Sequence, residues 1–269
     1  MESRHILVDA VDTHYLHAGD PDAPVVVLLH GGAPGEAAET AWSRNIEALA
    51  GQHRVIAPDW LGFGRSAKVV DFGDRMGRMI RHLARLLEEL QIGSADLVGL
   101  SMGGSALIRA LVDGTLAARR AVLVSAGGPP ISREAMARLA AYDGSAESMR
   151  EQIRLACADP AWAHDEAYVA RRMELAALPG AHEAFASLGL RGLTSPPPAP
   201  EPGYARIQVP VLLVAGALDR LKPRGFAEQA AGRIRDARLE VFDGCGHCPQ
   251  LEDAHRFNHT VLAFLEENP

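Results

Sequence analysis

A serine with glycines two residues before and two after it, in Gly99-Leu100-Ser101-Met102-Gly103, is the group in this chain whose surroundings suit covalent chemistry. A serine hydroxyl is a weak nucleophile. It becomes useful when a tight turn from strand to helix thrusts it into the open, and small flanking residues let the two backbones pass each other. The neighbouring pattern fits that turn: Ala95-Asp96-Leu97-Val98 reads as a short buried strand, and Ser105 to Leu111 carries helical spacing. The same pentapeptide also occurs as an ordinary glycine-rich turn, so the reading depends on partners elsewhere in the chain.

The serine needs a base within hydrogen-bond reach and a third group to orient that base. His247 follows a strand-like run in Asp243-Gly244-Cys245-Gly246-His247, and Asp219 follows another in Ala215-Gly216-Ala217-Leu218-Asp219. All three residues fall just past the carboxyl ends of predicted strands, the edge where ligands bind in an open parallel sheet. Their chain order, Ser then Asp then His, is that of one known triad architecture. Taken singly, Asp219 would be a loop aspartate or a helix N-cap, and His247 a surface-loop histidine. The rival acids Asp243 and Asp253 lie too close to His247 in sequence to come from a separate strand end. Acyl transfer also needs preorganised N–H donors for a tetrahedral oxyanion. The Met102 N–H supplies one, and the loop His30-Gly31-Gly32 supplies the other through Gly32. That loop is not a phosphate cradle, because neither a nucleotide fingerprint nor Gly-Lys-Ser/Thr follows it.

The elements that must position these groups alternate. Residues 4 to 18 suit a hairpin turning at Asp9-Ala10-Val11-Asp12, and Pro24 to His30 is a β-branched run of the kind buried on both faces. A helix through Trp42, Ile46 and Leu49 follows, then a strand at Arg54 to Pro58, a helix from Met76 to Leu90, the strand before Ser101, a helix to Val112, and a strand at Ala121 to Ser125. Such repetition predicts a mostly parallel, doubly wound α/β sheet. From 131 to 191 the pattern is helical, closing in the proline-rich connector Thr194 to Gly203. Strands resume at Val209 to Gly216 and Leu239 to Phe242, with helices at Pro223 to Gly232 and His247 to Glu267. The expected organisation is a core of residues 1–130 and 201–269, interrupted by a helical lid of residues 131–200 that is too long for an ordinary loop.

Composition narrows the partners. The 269 residues are 48% hydrophobic and 23% charged, the balance of an ordinary globular chain. A net charge of −7 disfavours nucleic acid and anionic membrane surfaces. The first residues lack the apolar run of a signal peptide, and three cysteines do not make a disulfide framework, so a cytoplasmic location is expected. The pattern Cys245-Gly246-His247-Cys248 has the composition of a thiol-disulfide motif, but it sits far from the early strand-helix junction that such motifs occupy. Zinc fits poorly there, since Cys245, His247 and Cys248 are crowded and no second ligand pair is near. His255 and His259 share a helical spacing, with Arg256 where a metalloprotease would carry glutamate.

Taken together, His30-Gly31-Gly32, Pro58-Asp59-Trp60-Leu61-Gly62-Phe63-Gly64-Arg65-Ser66, Gly99 to Gly104, Gly216 to Asp219 and Gly246-His247 make the whole chain resemble an α/β-hydrolase. Gly62 and Gly64 are read as structural, in a turn after a strand. Within that superfamily, His30-Gly31-Gly32-Ala33-Pro34-Gly35 with Trp42, Asn45 and Ile46, and Ser101-Met102-Gly103-Gly104, are similar to the meta-cleavage-product hydrolases. The resemblance implies cleavage of a carbon-carbon bond in a 2-hydroxy-6-oxo-dienoate, after an enol-to-keto step. That group usually carries Asn before the nucleophile and Trp after the histidine, where this chain has Leu100 and Cys248. An ester, thioester or lactone hydrolase is therefore the alternative, and a small-molecule receptor on the same fold is an alternative of another class. The resemblance further implies a lid arginine that binds a substrate carboxylate, with Arg171 and Arg172 as candidates against the plainer reading of an exposed pair. Lid apolar residues such as Met136, Leu139, Met149, Ile153, Leu155, Trp162, Met173 and Leu175 are read as packing. The expected partner is a small-molecule substrate, no cofactor or metal is implied, and a homo-oligomer is left open.

Overall fold

The continuous apolar runs form the middle of one eight-stranded sheet in the computed structural model, which describes residues 1–187 and 203–267. The strands are β1 (Glu2–Val8), β2 (Val11–Ala18), β3 (Val25–Leu29), β4 (Arg54–Pro58), β5 (Ala95–Leu100), β6 (Ala118–Val124), β7 (Val211–Gly216) and β8 (Ala237–Phe242). Their order across the sheet is β1-β2-β4-β3-β5-β6-β7-β8. The pairs β1/β2 and β2/β4 are antiparallel, and every other pair is parallel.

Period-two alternation divides the core into two layers, one on each face of the sheet. Val27, Leu29, Leu97, Leu123 and Leu213 belong to one buried cluster, and Val26, Leu28, Val98, Val122, Leu212 and Val214 to another. The first is covered by α3 (Arg75–Glu89) and α4 (Met102–Asp113), through residues such as Leu83, Leu86 and Leu107. The second is covered by α1 (Ala38–Ala41), α2 (Ile46–Ala50) and, near the C-terminus, α12 (Ala254–Glu266), through Trp42, Ile46, Phe257 and Val261.

Local departures from the sequence reading have local causes. The hairpin turns on Asp9 and Ala10 alone, both at positive φ, with Val8 paired to Val11. That is the twist a two-residue hairpin turn requires, and it draws Val11 and Asp12 into β2. The single helix expected through Trp42, Ile46 and Leu49 is two short ones. Between them Asn45 Nδ2 donates to Gln250 O at 2.9 Å and to Asn258 Oδ1 at 2.8 Å, pinning the break to the C-terminal segment. The three apolar residues still reach the same core. The last helical stretch likewise divides into α11 (Pro249–Glu252) and α12, because Asp253 turns aside to accept the Arg256 N–H as N-cap.

After β6, five helices follow without a strand among the described residues: α5 (Arg133–Ala140), α6 (Ala146–Ala156), α7 (Ala161–His164), α8 (Glu166–Ala176) and α9 (Ala181–Ala186). They pack over the carboxyl edge of the sheet. Met149, Ile153, Trp162 and Val169 bury against Cys248 and Leu251, while Ala135, Leu139 and Leu155 bury against Leu221. Of the apolar positions read as packing, Met136 is the departure, at 40% exposed. The connector Thr194 to Pro202 lies outside the described residues. Past it, α10 (Phe226–Ala231) packs against β7 and β8.

Candidate active site

Strand order places the chemistry. From β3 the chain steps outward to β4 and then returns to the other side of β3 as β5, so the winding reverses between β3 and β5. A crevice opens at such a reversal, outside the carboxyl ends of the strands. The loop holding Gly32 leaves β3 and Ser101 leaves β5, on the two sides of this point.

Ser101 adopts φ 51° and ψ −108°, a conformation L-residues avoid, and it is held there by its N–H donating to Val124 O at 2.8 Å. The flanking glycines are required by contact. A Cβ on Gly99 would lie 2.7 Å from Gly104 Cα, and one on Gly103 would lie 2.4 Å from Leu29 O. The turn therefore closes only with hydrogen in both places, which is the physical content of the motif.

Asp219 and His247 are brought together by backbone packing of two loops. A Cβ on Gly216 would lie 1.9 Å from Gly246 O, and the Ala217 and Leu218 N–H groups donate to Phe242 O and Cys245 O. In consequence His247 Nδ1 donates to Asp219 Oδ2 at 2.7 Å, while Asp219 Oδ1 accepts from the Leu221 and Lys222 N–H groups. Burial pushes the Asp219 carboxyl up, but the neighbouring His247 and these hydrogen bonds outweigh it and hold the group below the ordinary aspartate value. A carboxylate only accepts, so Nδ1 carries the proton and Nε2 of the neutral ring is left as the acceptor. That Nε2 is buried and has no hydrogen-bond partner among the described residues, Ser101 Oγ included.

Gly32 and Met102 are neighbours: a Cβ on Gly32 would lie 2.6 Å from Met102 Sδ. Their loop is fixed by His30, whose place in the sequence signals only that it begins the His30-Gly31-Gly32 motif. His30 is fully buried; Nδ1 donates to Gly31 O at 2.7 Å and Nε2 accepts the Trp60 N–H at 3.0 Å. Trp60 Nε1 in turn donates to His30 O. Accepting at Nε2 requires a neutral ring, and burial holds the His30 pKa below the usual imidazole value. A second buried brace, Asp59, accepts from His14 Nδ1 at 2.7 Å and from the Ala38 and Arg65 N–H groups. A Cβ on Gly64 would lie 2.1 Å from Asp59 Oδ2, so Gly64 makes room for this brace.

Glu252 was not found from sequence. Its Oε1 accepts the Gly246 N–H at 2.7 Å, and Oε2 accepts the Ala158 and Asp159 N–H groups at 2.6 and 3.0 Å. The His247 N–H donates to Ala156 O at 2.6 Å. One carboxylate thus bolts the histidine loop to the chain after α6. The only signal was an acid five residues past a candidate histidine. Glu36 was missed as well; it is a charged residue inside a small-residue loop, and it is 8% exposed.

Arg171 and Arg172 are not an exposed pair. Arg171 binds Glu39 and Glu174. Arg172 is buried, its Nε and Nη2 donating to Pro34 O at 3.0 and 2.7 Å and its Nη1 to Tyr168 Oη at 3.2 Å. Both guanidinium groups are engaged because α8 lies directly on the loop: a Cβ on Gly35 would lie 1.9 Å from Arg172 O. The rival acid Asp253 is occupied as a cap, and Asp243 is on the surface.

Cys157, Cys245 and Cys248 are all free and buried. Burial pushes the Cys245 thiol up to about 12. A hydrogen bond with Cys157, together with burial, raises Cys248 well above the usual thiol value. Thiolate chemistry is disfavoured at both. Among the described residues no group of three or more His, Cys, Asp or Glu side chains is arranged to hold a metal ion, and no helix is long and apolar enough to cross a membrane.

The chain is similar to known hydrolases along nearly its whole length. Residues 26–260 match the family model described as the alpha/beta hydrolase family. The chain is 32% identical over 273 residues to the 2-hydroxymuconate semialdehyde hydrolase of Pseudomonas sp. (strain CF600), covering 98% of this chain and 94% of that protein. The structure is similar to that of 2-hydroxy-6-oxo-6-phenylhexa-2,4-dienoate hydrolase from Rhodococcus sp. strain RHA1, with a TM-score of 0.87, 28% identity and 99% of each chain covered. It is also similar to a carboxylesterase from Bacillus subtilis, with a TM-score of 0.84 and 25% identity, covering 100% of this chain and 92% of that one.

Proposed function

Since the chain belongs to the alpha/beta hydrolase family, we propose that it cleaves a 2-hydroxy-6-oxo-dienoate at a carbon-carbon bond through an acyl-enzyme on Ser101. The observation that carries the mechanism is the His247 ring, oriented at Nδ1 by Asp219 and left open at Nε2. His247 Nε2 takes the Ser101 proton as Oγ attacks the carbonyl, and the Gly32 and Met102 N–H groups receive the oxyanion. On collapse the leaving group departs with the bonding pair and takes the proton back from His247. Water, deprotonated by the same nitrogen, then releases the acid and restores the serine. For a carbon leaving group, prior ketonisation of the dienol lets the departing carbon leave as a stabilised enolate.

Residues 131–200 serve as a lid in this reading. Arg172 acts as a strut holding α8 against the Gly32 loop, and Arg171 closes the rim through Glu39. The substrate class is supported by the relatives named for dienoate hydrolysis, which span nearly the whole chain.

A second reading, ester or lactone hydrolysis, is favoured by Leu100 and Cys248. Leu100 is 1% exposed in an apolar cluster, and Cys248 packs against the helical insert. Neither offers the polar group that similar carbon-carbon hydrolases carry at those positions. Turnover of a 2-hydroxy-6-oxo-dienoate and of short p-nitrophenyl esters, measured side by side for wild type and Ser101→Ala, decides between them. The first reading expects the dienoate to have the higher kcat/KM, and Ser101→Ala to abolish both activities while the protein stays folded. Turnover retained in Ser101→Ala would remove the mechanism. Tight binding without turnover of either substrate would point to a receptor.

A further inference from the structure

Away from the active site the fold assembles a second chain of hydroxyl, imidazole and carboxylate. Ser3 is exposed on the edge strand β1, and His14 is buried on its neighbour β2. The antiparallel register sets Ser3 opposite Leu16 and His5 opposite His14, and within it Ser3 Oγ reaches His14 Nε2 at 2.8 Å. His14 Nδ1 meets Asp59 Oδ2 at 2.7 Å. Neither Ser3 nor His14 has a task in the reaction at Ser101.

The acid decides where the protons sit. Burial pushes the Asp59 carboxyl up, but the hydrogen bond from His14, the nearby His30 and the Arg65 N–H outweigh it and hold the group below the ordinary aspartate value. A carboxylate only accepts, so His14 carries its proton on Nδ1 and presents Nε2 as an acceptor. The Ser3 hydroxyl is then the donor. Asp59 is fixed by the Ala38 N–H at Oδ1 and the Arg65 N–H at Oδ2, both at 2.8 Å, and the His14 N–H donates to Ser66 Oγ at 3.0 Å. The His5 ring, bound to Asp12, packs against His14 from β1 with its centroid 5.0 Å away. The base is therefore held at its backbone and at its ring.

We propose that Ser3 is a second acyl-accepting hydroxyl, with His14 as its general base and Asp59 as the orienting acid, and that it takes a short acyl group from an activated ester such as an aryl ester. Ser3 Oγ adds to the carbonyl carbon while His14 Nε2 receives the hydroxyl proton. On collapse the bond from that carbon to the aryl oxygen breaks, and the aryloxide leaves with the bonding pair and takes the proton from Nε2. An ester on Ser3 and a phenol result, and His14 is neutral again. The charge that passes through the imidazole is met by the buried, ionised Asp59. Because Ser3 stands at the open edge of the sheet, the donor is selected by its reactivity and access, and none of this depends on acyl transfer at Ser101.

The test uses the full chain carrying Ser101→Ala, so that acylation in the active site does not compete. The folded protein is treated with p-nitrophenyl acetate, and acetyl groups are located by tandem mass spectrometry; cleavage by hydroxylamine distinguishes an ester on Ser3 from an amide on the Met1 amine. Ser94 and Ser145, exposed serines that do not hydrogen-bond an imidazole among the described residues, are read in the same sample. A positioned general base contributes roughly 10²–10⁴-fold, so Ser3 is expected to be acetylated at least about tenfold faster than either. In His14→Gln, which keeps a polar side chain but no base, the Ser3 rate is expected to fall to that of Ser94 and Ser145. Acetylation of Ser3 no faster than those two serines would overturn the proposal, whether or not His14→Gln folds. An unchanged Ser3 rate in a folded His14→Gln protein would overturn it too.

Discussion

Replacing Glu252 tests whether the histidine loop is positioned by the clamp or by its own turn. The carboxylate accepts three backbone N–H groups, two from the insert side and one from Gly246, next to the base. In Glu252→Gln one oxygen becomes an NH2 group, so whichever way the amide faces, a donor meets a donor on one side. A lost hydrogen bond to a charged group is worth about 1.5–3 kcal/mol. For a chain of this size that corresponds to a fall in Tm of about 3–12 °C, at roughly 2–4 °C per kcal/mol. If the clamp sets the imidazole position, kcat falls by about 10–100-fold with KM little changed, since small misplacements of a catalytic group cost rates of that order. Glu252→Asp, one methylene shorter, should recover part of kcat. Burial holds the Glu252 carboxyl above the ordinary glutamate value against the pull of its N–H donors. The native state therefore keeps its proton to higher pH than the unfolded chain, and wild-type stability declines as pH rises from the ordinary value through the raised one. The Gln variant should lack that decline. Thermal melts across pH and steady-state kinetics on one substrate give all these readouts. A Gln variant that melts early but keeps full kcat would refute the positioning role and leave only a structural one.

Two other outcomes are expected. Asp219→Asn should lower kcat by about 10⁴-fold, the size seen when the orienting acid of a serine triad is neutralised; because the Asp219 pKa is depressed in the fold, its stabilisation is complete above the ordinary aspartate value and lost as pH falls through the lowered one, so the variant should melt with a shallower acid limb than wild type. Cys245→Ser with Cys248→Ser should leave hydrolysis largely intact, and an insulin-reduction assay should give the same null rate before and after; a rate that disappears with the cysteines would restore a redox role.

The helix and strand alternation was legible because each buried run is a local fact. A strand covered on both faces must be apolar at consecutive positions, and β3 and β7 are. Ser101 was legible for the same reason, since the glycines it needs stand two residues away on either side. Where local pattern competed with distant contacts it misled. Trp42, Ile46 and Leu49 have helical spacing, but Asn45 is tied to Gln250 and Asn258 and the helix breaks. Arg171 and Arg172 looked like a surface pair until α8 was laid against the Pro34 loop.

By itself the sequence determined the winding of the sheet, the turn around Ser101 and the order in which an acid and a base reach the strand ends. The tertiary structure alone decided which atoms meet. Asp219 and His247 are joined by a backbone contact at Gly216 and Gly246, His30 and Trp60 lock the Gly32 loop, and Glu252 holds two loops at once. Periodicity registers which face a side chain takes within a few residues of itself. A hydrogen-bond partner across 94 or 138 positions, as for Glu252 with Ala158 or Arg172 with Pro34, is chosen by how the packed elements cross, and no local pattern encodes that.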